Sequence, residues 1–201
     1  VLGLSESVHK HFGCRFGDES FLEIIQSHGP WDVFCHHAAD VTNYKEPTFD
    51  VNAAVAKNTH NLNNVLEALG NSGNPAIIVT GSYFEHDEGA GEMTRLAFSP
   101  YGLSKGLTWQ VFRYWCNKRN LRLGKFVIPN PFGPLEEPRF TTYLVKNWLQ
   151  GKTPLVNTPL YVRDNIPVTL LAEVYEVFIS DVVKAPEGTT RFNPSGYIES
   201  Q

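Results

Sequence analysis

Apolar runs alternate with stretches whose apolar residues recur every three or four positions, and this alternation predicts an α/β fold. The run at residues 76–82 predicts a buried strand that ends in a turn of small residues. Residues 127–134 predict another strand that breaks sharply into a loop. Between the two strands, Pro100 fits the start of a helix. The apolar residues of that helix recur four apart, at Leu103, Leu107, Val111 and Trp115.

Further helices are predicted on both sides of this region. Residues 47–69 predict one long helix with apolar residues on more than one face. The helix contains asparagines, which are poor helix formers and need tertiary partners or solvent, at Asn58, Asn61, Asn63 and Asn64. Beyond residue 134 the sequence predicts a helix at residues 139–149 and a later helix that ends near residue 179.

Tyr101 and Lys105 are four residues apart at the start of the helix that follows Pro100. Residues at this spacing lie one above the other on a helix face. A phenol titrates near pH ~10, and an ammonium one turn away favours the phenolate. The pair therefore suits proton transfer, although the same spacing also occurs on a solvated helix face.

Ser82 ends the predicted strand at residues 76–82, shortly before the Tyr101 helix. The carboxyl edge of a parallel sheet is where α/β proteins bind ligands. We therefore expect Ser82 to be presented at that edge.

Composition and charge narrow the possible functions. The 201 residues are 42% hydrophobic and 19% charged, which suits one globular domain, or one domain and a small lobe. The net charge of −4 without a basic block argues against nucleic acid as a partner. No apolar run is long enough to span a membrane and no signal peptide is visible.

The cysteines and the chain ends add two expectations. Cys14, Cys35 and Cys116 are odd in number and lack metal-like spacing, so reduced thiols, a cytoplasmic location and no metal site are predicted. The chain begins with Val1 and its single methionine is Met93, so we expect that material is missing at both ends.

Three marks together resemble the extended short-chain dehydrogenase/reductases, the nucleotide-sugar epimerase and dehydratase superfamily. These marks are Tyr-x-x-x-Lys, a serine after the preceding strand, and an Asn-x-aromatic-Gly-Pro loop after the next. The resemblance implies a Rossmann-like doubly wound parallel sheet that lacks its first strand, with a smaller C-terminal substrate-binding lobe. It implies a cofactor-binding domain at 1–134, incomplete at its N-terminus, and a substrate lobe at 135–201, incomplete at its C-terminus.

The same resemblance assigns three early segments to successive strands of the sheet. Residues 1–4 correspond to the second strand, 14–18 to the third and 31–39 to the fourth. The family's first strand and its glycine-rich pyrophosphate loop have no counterpart in this sequence.

NAD or NADP is the implied cofactor, and its predicted contacts are spread along the chain. Ser5 falls where the adenosine ribose lies, and the lack of an acidic residue there leans towards NADP, although Glu6 is next. Asp18 would lie beside the adenine, or would instead cap the following helix. Small residues let the backbone approach the dinucleotide at Ala38 and Ala39. Pro129 is also placed against the cofactor.

Two adjacent histidines precede these alanines. His36 and His37 lie in a strand, where neighbouring side chains point to opposite faces, so they cannot chelate one metal ion together. We expect His36 to be a core histidine bonded to backbone.

The implied mechanism gives each site residue a role. Tyr101 moves the proton of a sugar hydroxyl, Ser82 holds the same oxygen, and Lys105 binds the cofactor ribose. Asn130 and Arg163 match positions that hold the substrate diphosphate, although Arg163 also suits a surface pair with Asp164.

The residues after Ser82 separate the reactions of the superfamily. The 4,6-dehydratases carry an Asp-Glu pair there, whereas this chain has Tyr83 and Phe84, with Glu85 one place further on. A nucleotide-sugar epimerase is therefore predicted first. A ketoreductase on the same scaffold and a non-catalytic, degenerate member that binds a nucleotide sugar or a partner are the alternatives. The resemblance also implies a homodimer through the helices near 47–69 and 101–118.

Overall fold

A computed structural model describes residues 10–88, 95–134 and 140–200. In chain order the described elements are α1 (Glu19–His28), β1 (Val33–His36), α2 (Val51–Asn58), α3 (Leu62–Asn71), β2 (Ala76–Ser82), α4 (Pro100–Lys118), β3 (Arg122–Ile128), β4 (Asn130–Phe132), α5 (Phe140–Leu149), β5 (Val162–Pro167), α6 (Val168–Lys184), β6 (Gly188–Phe192) and β7 (Tyr197–Ser200).

Four parallel strands form the larger sheet in the order β1-β2-β3-β6. The pairing aligns Val79 with His36 on one side and with Lys125 on the other. β2 and β3 are buried along most of their length, and the apolar run at the start of β2 agrees with this burial. The predicted α/β fold with a Rossmann-like parallel sheet is confirmed.

Helices cover both faces of this sheet, which makes it doubly wound. On one face α1, α3 and α4 enclose a core that includes Leu66, Ile77 and Phe112. On the other face α6 packs over Ile78 and Phe126. Side chains in a strand alternate between the faces, so the neighbours Ile77 and Ile78 supply one core each.

A smaller sheet is formed by β4, β5 and β7. β4 pairs with β5 in parallel and β5 pairs with β7 antiparallel. α6 and β6, which lie within the range 135–201 assigned to the smaller lobe, pack against the larger sheet instead. The division of the chain at residue 134 stays a prediction.

The long helix predicted at residues 47–69 is wrong, because the structure has two helices there. α2 ends at Asn58 and α3 begins at Leu62, and Asn61 between them has a left-handed backbone with φ 52°. The Asn61 side chain donates to the Gly17 carbonyl oxygen at 3.1 Å. Asparagine tolerates this backbone better than most residues, so the asparagine cluster marks the break between the helices.

The strand predicted at residues 14–18 is also wrong, because this segment has no strand pairing in the structure. Phe16 instead packs its ring against Phe34, His36 and Phe112. β1, the nearest described strand, pairs with β2 alone among the described strands. Ring packing therefore holds the segment where ladder hydrogen bonds were expected. The strand predicted at residues 1–4 lies outside the described residues.

The break at Asn61 yields a stability prediction. Asn61→Ala and Asn61→Gly both remove the bond to Gly17, but only alanine has a Cβ that opposes a left-handed backbone. We expect Asn61→Ala to be less stable than Asn61→Gly by about 1 kcal/mol. Urea unfolding of the two variants measures this difference, and equal stabilities would contradict the proposed role of the backbone.

Candidate functional site

Ser82 lies at the end of β2, where the chain turns away from the sheet. The hydroxyl oxygen of Ser82 accepts a hydrogen bond from the Phe84 N–H at 3.2 Å. The Ser82 N–H donates to a carboxylate oxygen of Glu85 at 2.8 Å. The turn is therefore folded back on itself around the serine.

The first turn of α4 packs against the turn that carries Ser82. Ser99 caps the helix by accepting from the Gly102 N–H at 3.1 Å, as the predicted helix start requires. The Phe98 N–H donates to the Phe84 carbonyl at 2.9 Å. A Cβ at Gly102 would collide with the same carbonyl, so this glycine permits the close approach.

Tyr101 and Lys105 occupy successive turns of α4. The half-buried Tyr101 ring packs against Tyr44, with centroids 5.2 Å apart, and against Phe49 at 6.3 Å. Lys105 is only 4% exposed. No carboxylate of the described residues forms an ion pair with the Lys105 ammonium. The alternative of a solvated helix face therefore does not hold for Lys105.

The surroundings of Lys105 make it easier to deprotonate than an exposed lysine, but leave it mostly a cation at pH 7. Burial lowers the pKa of Lys105 to about 8, Glu85 opposes this change, and the Lys125 ammonium adds to it. Lys105 itself helps to lower the pKa of both neighbouring histidines, after burial as the larger cause.

His36 and His37 point to different surroundings, as neighbours in a strand should. The buried His36 ring lies 4.8 Å from Phe16 and 4.7 Å from Phe112 between centroids. His36 is therefore a core residue, as expected, and its bond to backbone stays a prediction. His37 Nδ1 lies 2.7 Å from the Thr80 hydroxyl.

The loop after β1 carries Ala38 and Ala39 and is tied to two helices. The Asp40 N–H donates to Asn58 Oδ1 at 2.8 Å, and the Asn58 amide donates to the Thr108 hydroxyl at 3.2 Å. The small residues are thus held at the carboxyl end of β1, where a backbone approach by a ligand was predicted.

Asp18 precedes α1 and occupies its N-cap position, but its side chain makes no capping hydrogen bond. Its carbonyl oxygen accepts from the Phe21 and Leu22 N–H groups. Its carboxylate lies 3.8 Å from His60 Nε2. Neither contact assigns it to an adenine, and that role stays a prediction. Ser5 lies outside the described residues.

The predicted substrate residues lie on the smaller sheet. Asn130 is buried, and its amide donates to Asn165 Oδ1 at 2.6 Å across the β4–β5 pair. The Arg163 guanidinium lies 5.0 Å from the ring of Tyr161. Asp164 accepts from the Gly196 N–H at 2.7 Å. Pro129 is the single residue between β3 and β4.

Sequence reasoning missed a buried ionic network beside Ser82. The Lys125 ammonium lies 2.6 Å from the Glu85 carboxylate and 2.8 Å from the Glu88 carboxylate. Glu88 also accepts hydrogen bonds from Arg191 and Asn193. A lysine in the middle of an apolar strand was the available signal, because a buried charge requires partners.

Two absences hold for the described residues. Within residues 10–88, 95–134 and 140–200, no three His, Cys, Asp or Glu side chains group closely enough to hold a metal ion. In the same part of the chain, no helix is both long and apolar enough to cross a membrane.

The sequence places these observations in a family. Residues 5–190 match the model of the NAD dependent epimerase/dehydratase family. The chain belongs to this family. No curated protein sequence shows a significant match to it.

Several solved structures share the fold. A UDP-glucose 4-epimerase from Thermotoga maritima with UDP-glucose is 18% identical, with a TM-score of 0.72 over 94% of this chain and 63% of that one. WbmG from Bordetella bronchiseptica in complex with NAD and UDP is 20% identical, with a TM-score of 0.67 over 94% and 58%. The dTDP-glucose 4,6-dehydratase DesIV from Streptomyces venezuelae with NAD bound is 18% identical, with a TM-score of 0.66 over 90% and 57%. The chain thus spans about three fifths of the length of these structures.

The buried His36 of this family member yields a pH prediction. Burial first, and Lys105 next, lower the pKa of His36 to about 3. Between pH 6.5 and pH 3 the unfolded chain binds a proton at His36 that the folded chain does not, so stability falls as the pH falls. His36→Phe removes this loss, which amounts to about 2 kcal/mol between pH 7 and pH 5.

Urea unfolding at pH 7 and pH 5 measures the effect. His11→Gln, at an exposed histidine, is the control and should follow the wild-type pH dependence. A His36→Phe variant that loses as much stability as the wild type on acidification would contradict the assignment.

Proposed function

We propose that this chain forms the catalytic part of an NAD(P)-dependent nucleotide-sugar epimerase, with Ser82, Tyr101 and Lys105 as the catalytic residues. The single observation that carries the proposal is the burial of Lys105 one helical turn from Tyr101, on a helix whose first turn packs against the Ser82 turn. Membership of the NAD dependent epimerase/dehydratase family supports the same assignment.

The residues around Lys105 fit a dinucleotide. The buried Lys105 ammonium forms no ion pair within the described residues, so it is available to the hydroxyls of a ribose. Ala38 and Ala39 leave room for a close ligand after β1. We assign cofactor contacts to these residues, to Tyr101 and to Pro129, and keep Ser5 and Asp18 as further candidates. The nicotinamide of the bound cofactor would supply hydride transfer.

Each of the three proposed catalytic residues has its own role in the proton transfer. Tyr101 removes the proton of a sugar hydroxyl and returns it after the sugar has rotated in the site. Ser82 donates a hydrogen bond to the same oxygen as it changes between alcohol and ketone. Lys105, as a cation, favours the tyrosinate and orients the cofactor ribose.

Asn130 and Arg163 are our candidates for the diphosphate of the substrate. A guanidinium binds phosphate oxygens with two parallel hydrogen bonds. The Arg163 guanidinium lies within cation–π distance of two rings, at 5.0 Å from Tyr161 and 5.9 Å from Phe140. The bound UDP-glucose of the Thermotoga maritima enzyme supports a nucleotide sugar as the substrate class.

Glu85 argues against a 4,6-dehydratase. Its carboxylate is 1% exposed and accepts from the Ser82 N–H and from Lys125. A carboxylate in these bonds is not available to remove or return a proton of the sugar. A ketoreductase remains the second candidate, because it needs the same three catalytic residues. A non-catalytic member that binds a nucleotide sugar is the third.

Assays of the full-length protein separate these candidates. NAD(H) and NADP(H) binding is measured first, followed by turnover of a panel of nucleotide sugars. An epimerase forms the isomeric sugar without net change in NAD(P)H absorbance, whereas a reductase consumes one equivalent of NAD(P)H for each product. Sugar binding without turnover would favour the third candidate.

Removal of the Tyr101 hydroxyl tests the mechanism directly. We expect Tyr101→Phe to lower kcat by a factor of at least ~10², the usual contribution of a general acid–base, while cofactor affinity is unchanged. Tyr114→Phe, on the exposed side of α4, is the control and should retain full activity. Normal turnover of Tyr101→Phe would exclude the proposed proton transfer.

A homodimer through α4 and the helices of residues 47–69 is part of the proposal. The apolar residues Leu103 and Leu107 of α4 are 43% and 40% exposed in one chain. We expect the wild type to sediment as a dimer and Leu107→Arg as a monomer, because a charge at this face opposes its burial. Val177→Arg, on α6 and 61% exposed, should leave the dimer intact. A monomeric wild type would contradict the interface.

A further inference from the structure

Three segments of the described chain meet at one buried ammonium. Lys125 in β3 bonds Glu85 and Glu88 in the segment after β2, and Glu88 in turn bonds Arg191 in β6. The side chains of Lys125, Glu85 and Glu88 are 4%, 1% and 3% exposed. An unpaired charge at this depth would be strongly destabilising, so the pairing constrains where these segments lie.

The backbone around this ion pair is built to leave room for it. A Cβ at Gly81, directly before Ser82, would lie 2.8 Å from Lys125 Cε and 2.9 Å from a Glu85 carboxylate oxygen. No real Cβ fits there without moving a buried charged group. The Trp109 ring of α4 covers Lys125 at 5.3 Å from its ammonium, a cation–π distance.

Two contacts connect the ion pair to the candidate catalytic residues. The Ser82 N–H donates to the Glu85 carboxylate at 2.8 Å, while Lys125 bonds the other oxygen of that carboxylate. Lys105 interacts electrostatically with both Glu85 and Lys125. The ion pair therefore contacts the Ser82 backbone by a hydrogen bond and acts on Lys105 electrostatically.

We propose that Glu85 and Lys125 are positioning residues of the candidate site, which fix the turn that presents Ser82 and balance the charge around Lys105. The inference rests on the proposed function of Ser82 and Lys105. Neither Glu85 nor Lys125 contacts the reacting atoms in this scheme. Their effect is transmitted through one backbone hydrogen bond and through space.

The charges around Lys105 predict that removing Glu85 and removing Lys125 shift the pKa of Lys105 in opposite directions. Glu85, Lys125, His36 and His37 interact electrostatically with Lys105, and Tyr101 lies one turn away on α4. Glu85 and His86 lie against the residue after Lys105, because a Cβ at Gly106 would be 3.8 Å from a Glu85 carboxylate oxygen and 3.4 Å from His86 Nδ1. Glu85 raises the pKa of Lys105 and Lys125 lowers it. Glu85→Gln should therefore lower the pKa of Lys105, and Lys125→Met should raise it.

A ¹³C NMR titration of lysine-labelled full-length protein measures this pKa without turnover, with the Lys105 signal assigned by its loss in Lys105→Arg. We expect shifts of about half a pH unit or more, in opposite directions for the two variants. Arg191→Gln, at the half-exposed end of the network, is the matched control and should leave the titration near its wild-type position.

If Lys125→Met does not fold, Lys125→Met combined with Glu88→Gln replaces it, because this pair of changes removes one buried charge of each sign. Equal shifts in the same direction, or no shift in either variant, would overturn the electrostatic role. Because the titration needs no substrate, it remains decisive even if the proposed epimerase activity is not found.

A kinetic cycle tests the backbone role. Glu85→Ala removes the acceptor of the Ser82 N–H and should lower kcat about tenfold or more with little change in KM, because a small displacement of a catalytic group is costly. Glu85→Gln keeps an acceptor oxygen and should recover most of the kcat lost in Glu85→Ala. Glu85→Ala added to Ser82→Ala should cost almost nothing further. Fully additive losses would overturn positioning through Ser82.

Discussion

The close approach of α4 to the larger sheet is the constraint on which the site depends. The N-terminal half of the helix buries mainly small or polar residues, at Gly102, Ser104, Gly106 and Thr108, and its large buried apolar residues, Trp109 and Phe112, follow further along. With so little side-chain volume at the interface, the first turn of α4 reaches the Phe84 carbonyl, and the Lys105 stem enters the protein. This packing leaves Leu103 and Leu107 exposed on the outer face of α4, so one helix supplies both site residues and an apolar surface.

Burial of charge is the energetic consequence of that packing. Lys105 and Lys125 place two ammonium groups in the interior, and Glu85 and Glu88 supply the compensating carboxylates. A buried ion pair is often no more stable than well-packed apolar residues, but removing one partner is costly. The network is therefore better understood as a device that fixes geometry than as a source of stability, and its hydrogen bond to the Ser82 N–H is where that geometry reaches the candidate site.

The elements that could be predicted from the sequence are those that depend on patterns of adjacent residues. The apolar run of β2 and the start of α4 at Pro100 depend on neighbouring residues only, and both agree with the structure. The strand at residues 14–18 was expected from the family resemblance, and it could not be tested by local pattern, since whether a segment becomes a strand depends on a partner strand elsewhere. The partner of Lys125 could not be predicted either. The position of Lys125 in a buried strand requires a counter-charge, but no neighbouring residue indicates that Glu85, forty residues earlier, supplies it.

The candidate residues form two groups, which lie on different sheets of the described chain. α4 is the common partner of the loop after β1, through Asn58 and Thr108, and of the turn after β2, through the Phe84 carbonyl. Asn130, by contrast, lies on the smaller sheet, and one residue, Pro129, separates β3 of the larger sheet from β4 of the smaller one. A proline ring fixes φ near −65°, so this crossing has one backbone torsion fewer than any other residue would allow. In the proposed enzyme, the residues assigned to the cofactor and those assigned to the substrate diphosphate are thus joined by a short, stiff connection through Pro129.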